Sequence, residues 1–289
     1  MQISANGIAI EVDDVGRGEP LLLLMGLGMQ LVSWPEELVR DLVARGYRVI
    51  RPDNRDAGLS QSFDHLGRVN LLTAMIRYFF GMRIATPYTL ADMANDAFGV
   101  LDALGIESAH VCGASMGGMI AQHMAVLRPA RVKRLTLMMT TSGSRALPQP
   151  SMHLRRALLS RPSDPRNAET IVAYLEQLFA LIGSPDYRTD PAVFRSRLQA
   201  IVARAWRPHG VARQLVAIVA DGDRTPILGR ISARTHIVHG AADPLVHVAA
   251  AYQLQRKIRG STLEIIPGMG HDLPLPLLPR LAQEIARTD

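Results

Sequence analysis

The sequence predicts an α/β fold, a mostly parallel central sheet flanked by helices, with a helical cap inserted late in the chain. Short apolar blocks such as LLLLM (21–25) alternate with amphipathic stretches, which is typical of strands buried on both faces of a parallel sheet. Between residues 142 and 234 this alternation stops and only helical patterns occur. We therefore expect a core made of residues 1–141 and 227–289, with residues 142–226 as the cap.

The first part of the chain begins with a hairpin signal. Residues 3–12 alternate around Asn6-Gly7, a dipeptide typical of two-residue β-turns. The next predicted elements are a strand at 20–25, a helix at 35–45 that ends at Gly46, and a strand at 47–51. That strand leads into DNRDAGLS (53–60), which we interpret as a structural turn holding the sheet edge, without a chemical role.

An apolar segment, NLLTAMIRYFFGM (70–82), interrupts this order because it fits neither a strand nor a short loop. After it, Thr89 and Asp92 form a capping box, which predicts an amphipathic helix as far as Leu104. The remaining predicted elements are strands at 109–112, 134–140, 235–239 and 263–266, and helices after 115, around 171–182, from 190, at 248–258 and at 277–286.

The stretch HVCGASMGGMIAQ (110–122) passes from a short strand into a helix through a serine flanked by small residues. Gly113 and Gly117 allow a very tight turn, because neither carries a Cβ that would clash with neighbouring segments. Such a turn forces the Ser115 side chain outward at a helix N-terminus, which suits an attacking oxygen. The pattern also arises by chance, so it indicates a nucleophile only if a base and an acid follow.

An acid and a base do follow, each directly after a predicted strand. In parallel sheets, catalytic groups gather at the carboxyl ends of the strands. The acid is Asp243 in GAADPLV, which could instead start a turn before proline. The base is His271 in PGMGHDLP, which could instead be an ordinary polar surface residue. Together with Ser115 they supply the nucleophile, the base and the carboxylate that acyl transfer requires.

Other candidates for these roles are weaker. His110, His236 and His239 lie within predicted strands. Asp272 follows His271 so closely that its carboxylate would not fold back onto the ring.

An oxyanion site completes the arrangement. We expect one donor to be the N–H of Met116, the residue after the nucleophile. The other is the N–H of Leu27 in Gly26-Leu27-Gly28, where the backbone can approach closely, although this stretch could also be an ordinary strand exit.

Four passages carry a family resemblance. They are MGLGMQLVSWPEELVRDLVARGYRVIRPDNRDAGLS, HVCGASMGGMIAQ, DPL and IPGMGHDLP. The chain resembles the α/β-hydrolase superfamily and, more narrowly, bacterial serine esterases of the aclacinomycin methylesterase type. Many relatives carry His-Gly where this chain has Met25-Gly26, but the oxyanion donor is a backbone N–H. The resemblance implies an α/β-hydrolase fold and a carboxylic ester hydrolase that needs no cofactor; it does not imply an anthracycline substrate.

The expected function is therefore a serine carboxylesterase acting on small to medium, largely apolar carboxylic esters. Lactone opening, carbon–carbon bond hydrolysis and perhydrolysis could use the same triad, and a non-catalytic small-molecule receptor could use the same scaffold. Because both are rich in Leu, Met and Phe, we expect the cap and residues 61–88 to line the substrate pocket.

Composition excludes several other classes. A single cysteine, Cys112, excludes an intrachain disulfide framework and a Cys-rich metal site, and no residue cluster suggests any other metal site. The net charge is +6, with 12 Arg against 7 Asp and Glu in residues 142–226, but no nucleic-acid motif accompanies it, so we interpret these charges as solvated. We expect no membrane span, no nucleic-acid partner and a cytoplasmic protein; the oligomeric state stays open.

Overall fold

A computed structural model describes residues 1–287. Across these residues, eight strands form one sheet in the order β1-β2-β4-β3-β5-β6-β7-β8. The strands are β1 (Gln2–Ala5), β2 (Ile8–Val15), β3 (Glu19–Leu24), β4 (Tyr47–Pro52), β5 (Ala109–Ala114), β6 (Val132–Met138), β7 (Arg234–Gly240) and β8 (Thr262–Ile266). Strands β3 to β8 are parallel to one another, and β1 and β2 pair antiparallel at one edge. The predicted fold class is confirmed.

Helices connect and cover these strands. They are α1 (Glu36–Ala44), α2 (Leu71–Phe79), α3 (Leu90–Ala103), α4 (Met116–Leu127), α5 (Met152–Leu159), α6 (Ala168–Ile182), α7 (Pro191–Arg204), α8 (Pro208–Asp221), α9 (Thr225–Leu228), α10 (Ala249–Lys257) and α11 (Leu278–Ala286). No helix described between residues 1 and 287 is both long and apolar enough to cross a bilayer.

The two-residue hairpin at the start of the chain is confirmed. Ala5 pairs with Ile8, and the intervening Asn6 and Gly7 have φ values of 52° and 77°. Both lie in the left-handed region that Asn and Gly tolerate, so the Asn-Gly dipeptide fixes the register of the first two strands.

The continuous apolar run of β3 is buried on both faces of the sheet. Leu22 and Leu24 belong to the layer under α3, α4 and α10, while Leu21 and Leu23 belong to the layer under α1 and α11. Each buried leucine contributes about 1.5–3 kcal/mol relative to an exposed one. This strand therefore anchors both halves of the core and fixes the loop that follows it.

The turn at 53–60 lies inside the molecule and not at the sheet edge as predicted, because β4 pairs with β2 on one side and β3 on the other. Asp53 is fully buried, and its carboxylate accepts the N–H groups of Leu31 and Leu59 at 2.7 and 2.8 Å. It also pairs with Arg204 of α7 at 2.7 Å. The turn therefore joins the sheet to the helices inserted after β6.

The connection between β6 and β7 contains only helices, α5 to α9. Helices α6 and α7 pack on each other through a small apolar cluster of their own, formed by Ile171, Val172, Leu175, Leu198 and Val202. The predicted limit at residue 226 falls within α9, and the division into core and cap stays a prediction.

Candidate active site

The residues singled out in the sequence lie at the carboxyl edge of the parallel sheet. Ser115 forms the corner between β5 and α4, with φ 55° and ψ −118°. This conformation is strained for a residue with a side chain. A Cβ at Gly117 would overlap the Leu24 carbonyl oxygen, and one at Gly113 would overlap the Gly117 carbonyl. Both glycines are thus required for the close approach that places the serine.

His271 connects Ser115 to Asp243. Its Nε2 lies 3.0 Å from Ser115 Oγ, and its Nδ1 lies 2.7 Å from Asp243 Oδ2. The other carboxylate oxygen, Asp243 Oδ1, accepts the N–H groups of Leu245 and Val246, both at 2.8 Å. Since the Asp243 carboxylate accepts a hydrogen bond from the Nδ1–H of His271, the Nε2 lone pair faces the serine hydroxyl, which is the geometry of a general base.

A second histidine, His239, lies beside the same carboxylate. Its Nε2 donates to the Val246 carbonyl at 2.7 Å and lies 3.5 Å from Asp243 Oδ2. Burial lowers the pKa of His239, which favours the neutral form of the ring. His239 was predicted to lie in a strand and was given no role. Its hydrogen bond to the Val246 carbonyl holds the loop that carries the Asp243 carboxylate.

The inserted helices contact the histidine loop directly. The His271 N–H donates to the Ile182 carbonyl at 2.7 Å, and the Gly270 N–H donates to Ser184 Oγ at 2.8 Å. That hydroxyl in turn donates to Asp272 Oδ1 at 2.5 Å, and burial raises the pKa of the Asp272 carboxyl. Asp272 therefore faces the insertion and not the imidazole, as the sequence analysis expects.

The two predicted oxyanion residues flank the serine. Gly26 packs so closely against Ser115 that a Cβ there would lie 3.2 Å from the serine Cβ. Leu27 follows and lines the cavity next to the serine. Met116 is the first residue of α4, so its N–H has no carbonyl acceptor within the helix.

The loop at residues 25–28 is held by the side chains of Gln214 and Asn54, neither of which was predicted to have a role in the site. The Gly28 N–H donates to Gln214 Oε1 at 2.8 Å, and Gln214 Nε2 donates to the Arg55 carbonyl at 2.7 Å. Asn54 Nδ2 donates to the Met25 carbonyl at 2.9 Å. Asn54 belongs to the polar turn 53–60, and the density of Asp and Asn in that turn was the sequence feature that could have indicated its role. No feature of the sequence around Gln214 on α8 indicated a role for that residue.

A cavity of about 460 Å³ opens onto Ser115 and His271. Its walls on the side of the insertion are largely apolar and come from Leu158, Leu175, Leu178, Phe179, Phe194 and Leu198. Glu37 and Arg197 also line it and form an ion pair at 2.8 Å. No group of three or more His, Cys, Asp or Glu placed to hold a metal ion occurs among residues 1–287.

The prediction that residues 61–88 line this cavity is wrong. Its lining includes residues before 59 and after 113 but none from that segment. The reason is that α2 packs on α8 on the outside of the insertion, with only Ala74 buried.

Comparison with known proteins finds relatives along most of the chain. A family model for the alpha/beta hydrolase fold matches residues 19–276. Rhodomycin D methylesterase DauP of Streptomyces sp. (strain C5) is 28% identical, covering 92% of this chain and 89% of that protein. The 2-hydroxy-6-oxononadienedioate/2-hydroxy-6-oxononatrienedioate hydrolase of Klebsiella pneumoniae is also 28% identical, covering 91% of this chain and 85% of that protein.

Solved structures show the same fold. A meta-cleavage product hydrolase from Pseudomonas fluorescens IP01 superposes with a TM-score of 0.77 at 21% identity, covering 99% of this chain and 96% of that one. The enol-lactonase from Burkholderia xenovorans LB400 gives a TM-score of 0.75 at 19% identity, covering 99% and 98%. The predicted family is confirmed by the match along most of the sequence: the chain is a hydrolase and belongs to the α/β-hydrolase fold family.

Proposed function

We propose that the protein is a serine carboxylesterase that hydrolyses small to medium, largely apolar carboxylic esters. The observation that carries this proposal is the continuous hydrogen-bonded chain Ser115–His271–Asp243, with the serine facing an apolar cavity of about 460 Å³. The 28% identity to a methylesterase over 92% of the chain supports ester chemistry.

In the first half of the reaction, Ser115 Oγ attacks the ester carbonyl carbon while His271 Nε2 takes the hydroxyl proton. The carbonyl oxygen gains the negative charge, which the Met116 and Leu27 N–H groups stabilise. Removing a single donor of this kind typically lowers turnover about 10²–10³-fold. The tetrahedral intermediate then collapses, the bond to the alcohol oxygen breaks, and His271 returns the proton to the departing alcohol.

In the second half, water replaces the alcohol. His271 takes a proton from the water as its oxygen attacks the acyl carbon, and the same two N–H groups stabilise the second oxyanion. Collapse breaks the bond to Ser115 Oγ, which regains the proton from His271, and the acid leaves. Asp243 keeps Nδ1 protonated and stabilises the imidazolium in both halves. No step requires a cofactor.

We extend the proposal to residues 142–226 as a substrate-binding cap. Helices α6 and α7 supply much of the apolar cavity wall and have their own small core, which is how a separate covering unit is built. In this proposal the cap selects the substrate, while the sheet supplies the chemistry.

Carbon–carbon bond hydrolysis is the second candidate. The Klebsiella relative, 28% identical over 91% of this chain, carries a name that describes hydrolysis of a 2-hydroxy-6-oxo dienedioate. Such a substrate is a dianion, whereas the cavity wall here is mainly apolar, and we therefore rank the ester first. Lactone opening and perhydrolysis remain secondary activities that the same triad could support.

The test is a panel of p-nitrophenyl and alkyl esters of graded acyl length, measured beside a 2-hydroxy-6-oxo dienoate and a lactone. We expect ester turnover to be fastest, to increase with apolar acyl length until the cavity is filled, and to vanish in Ser115→Ala while the far-ultraviolet circular dichroism is unchanged. A fluorophosphonate should label one serine per chain. Full turnover by Ser115→Ala would refute the assignment, and absence of labelling would indicate a receptor.

A further inference from the structure

Helix α2 turns its apolar side to solvent. Leu72, Met75, Ile76 and Phe79 follow the i, i+3, i+4, i+7 spacing of one helix face, and they are 68%, 48%, 49% and 76% exposed. The opposite side, with Ala74, packs against the protein. An amphipathic helix in a soluble domain normally has the reverse orientation, because its apolar stripe faces the core.

The exposed stripe continues beyond the helix and includes an aromatic pair. Phe80 and Met82 are 69% and 52% exposed, and the Phe79 and Phe80 rings contact edge to face with centroids 5.3 Å apart. We call these six residues the α2 surface: Leu72, Met75, Ile76, Phe79, Phe80 and Met82. Contiguous exposed apolar side chains of this kind usually mark an interaction site.

The α2 surface is held in place from behind. Asn70 caps the helix by accepting the Thr73 N–H at 2.9 Å. At the other end, the Arg145 guanidinium donates to the Tyr78 and Phe79 carbonyls at 2.8 and 3.2 Å and stacks on the Tyr78 ring, with 4.5 Å to the centroid. The helix termini are therefore satisfied by polar partners, while the apolar face has none.

The segments of the chain that carry the α2 surface and Arg145 contain basic but no acidic residues. Residues 65–91 contain Arg68, Arg77 and Arg83 but no Asp or Glu. Residues 108–163, which include Arg145, contain no Asp or Glu either. A second copy of the chain docking on this surface would bring like charges together, whereas a negatively charged partner would be attracted.

We infer that the α2 surface docks peripherally on an anionic lipid bilayer. The aromatic and aliphatic side chains enter the boundary between headgroups and acyl chains, and the flanking arginines pair with lipid phosphates. An apolar face with arginine beside it is the combination that characterises interfacial helices. The inference does not depend on the proposed esterase activity.

Flotation of the full-length protein with vesicles tests this inference. We expect binding to phosphatidylcholine vesicles that contain phosphatidylglycerol, weaker binding to phosphatidylcholine alone, and release by high salt. Phe79→Ser/Phe80→Ser should weaken binding at least about tenfold, and Arg83→Gln about fivefold. Leu127→Ser and Arg17→Gln are the matched controls, since both residues are exposed near the amino ends of the parallel strands, and they should bind like wild type.

Ester turnover on a soluble substrate separates docking from misfolding, because α2 does not line the cavity. The Phe79→Ser/Phe80→Ser variant should keep this turnover. Equal binding of wild type and this variant to anionic vesicles would overturn the inference, as would no binding by wild type. If wild type instead forms a dimer that the same substitutions dissociate, the occupant is a second copy and the lipid inference is wrong.

Discussion

Ser115 has a left-handed backbone conformation, and the glycines around it make that conformation possible. Strain of this kind costs about 1–3 kcal/mol and persists only where neighbouring groups fix it. Here a Cβ at Gly117 would overlap the Leu24 carbonyl oxygen, and a Cβ at Gly26 would lie 3.2 Å from the Cβ of Ser115. We therefore expect Gly117 to govern the stability of the turn and Gly26 to govern the position of the Ser115 hydroxyl.

Gly117→Ala and Gly26→Ala should separate these two effects. The new methyl at 117 overlaps a rigid backbone oxygen, so we expect the free energy of unfolding in urea to fall by about 3 kcal/mol or more. The methyl at 26 lies 3.2 Å from Ser115 Cβ and 3.7 Å from its Oγ, a tight but tolerable contact. It should lower turnover about tenfold or more with a stability change below about 1 kcal/mol. Equal stability loss in both variants would contradict this separation.

Asp243→Asn should lower turnover by about 10⁴-fold without unfolding the protein. The amide oxygen can still accept the Leu245 and Val246 N–H groups, so the loop keeps its shape, but the amide no longer favours the required tautomer of His271. Asp272→Asn is the matched control, because that carboxylate bonds to Ser184, and it should change turnover far less. If the control variant lost more activity than Asp243→Asn, the acid would be misassigned.

Position after a strand singled out Ser115, Asp243 and His271, and the structure brings them within hydrogen-bond distance because parallel strands bring their carboxyl ends to one edge. Gln214 could not be found that way. Its contact with the Gly28 N–H joins residues 186 apart in sequence and depends on how α8 packs. The role of His239 could not be predicted for a similar reason. A histidine within a strand does not indicate which loop will pack against its side chain.

At the level of elements, the loop 26–28, for which we predict an oxyanion role, is held by a helix of the insertion. Gln214 is fully buried and bonds to backbone groups on two core segments, the Gly28 N–H and the Arg55 carbonyl. A glutamine in this place joins the two segments more firmly than packing alone, because each bond has a defined direction. The position of the Leu27 N–H thus depends on α8.

Gln214→Met keeps the side-chain volume and removes both bonds. We expect a loss of about 1–3 kcal/mol in the free energy of unfolding for the unpaired backbone groups. Turnover should fall about tenfold with a smaller change in KM, because the loop stabilises the transition state more than the bound ester. Gln199→Met, at an exposed position on α7, is the control and should change neither quantity. Unchanged turnover in Gln214→Met would show that α8 does not position the loop.

The elements differ in how well sequence patterns predict them. The Asn6-Gly7 hairpin and the strand at β3 follow from local turn chemistry and from an apolar run. Segment 70–82 was assigned to neither a strand nor a short loop, and it forms α2. Its content of Leu, Met and Phe suggested a cavity wall, but apolar composition alone does not show which way a side chain faces, and that prediction is wrong.

At the scale of the whole molecule, buried ion pairs join the insertion to the core. Arg213 on α8 forms two bonds to the carboxylate of Asp56, at 2.7 and 2.8 Å, and both side chains are about 1% exposed or less. Burial alone would raise the pKa of Asp56, but hydrogen bonds from Arg213, the Phe63 N–H and Tyr88 outweigh it and hold this pKa below 3.8. The pair therefore contributes stability above that pH and loses it as the pH falls.

Arg213→Met should consequently destabilise the protein most at neutral pH. It leaves a buried carboxylate without its cation, which costs about 3–5 kcal/mol in the free energy of unfolding. Without the arginine, burial raises the pKa of Asp56, so the folded variant takes up a proton on acidification, whereas the ion pair of wild type persists until the pH falls through the lowered pKa of Asp56. The difference in the free energy of unfolding between wild type and Arg213→Met, measured in urea, should become smaller from neutral pH towards about pH 4. Arg195→Met removes two solvent-accessible pairs, with Glu169 and Glu176, and should cost less than about 1 kcal/mol, with little pH dependence. A gap for Arg213→Met that stays constant across this range would mean that Asp56 is not the group that Arg213 stabilises.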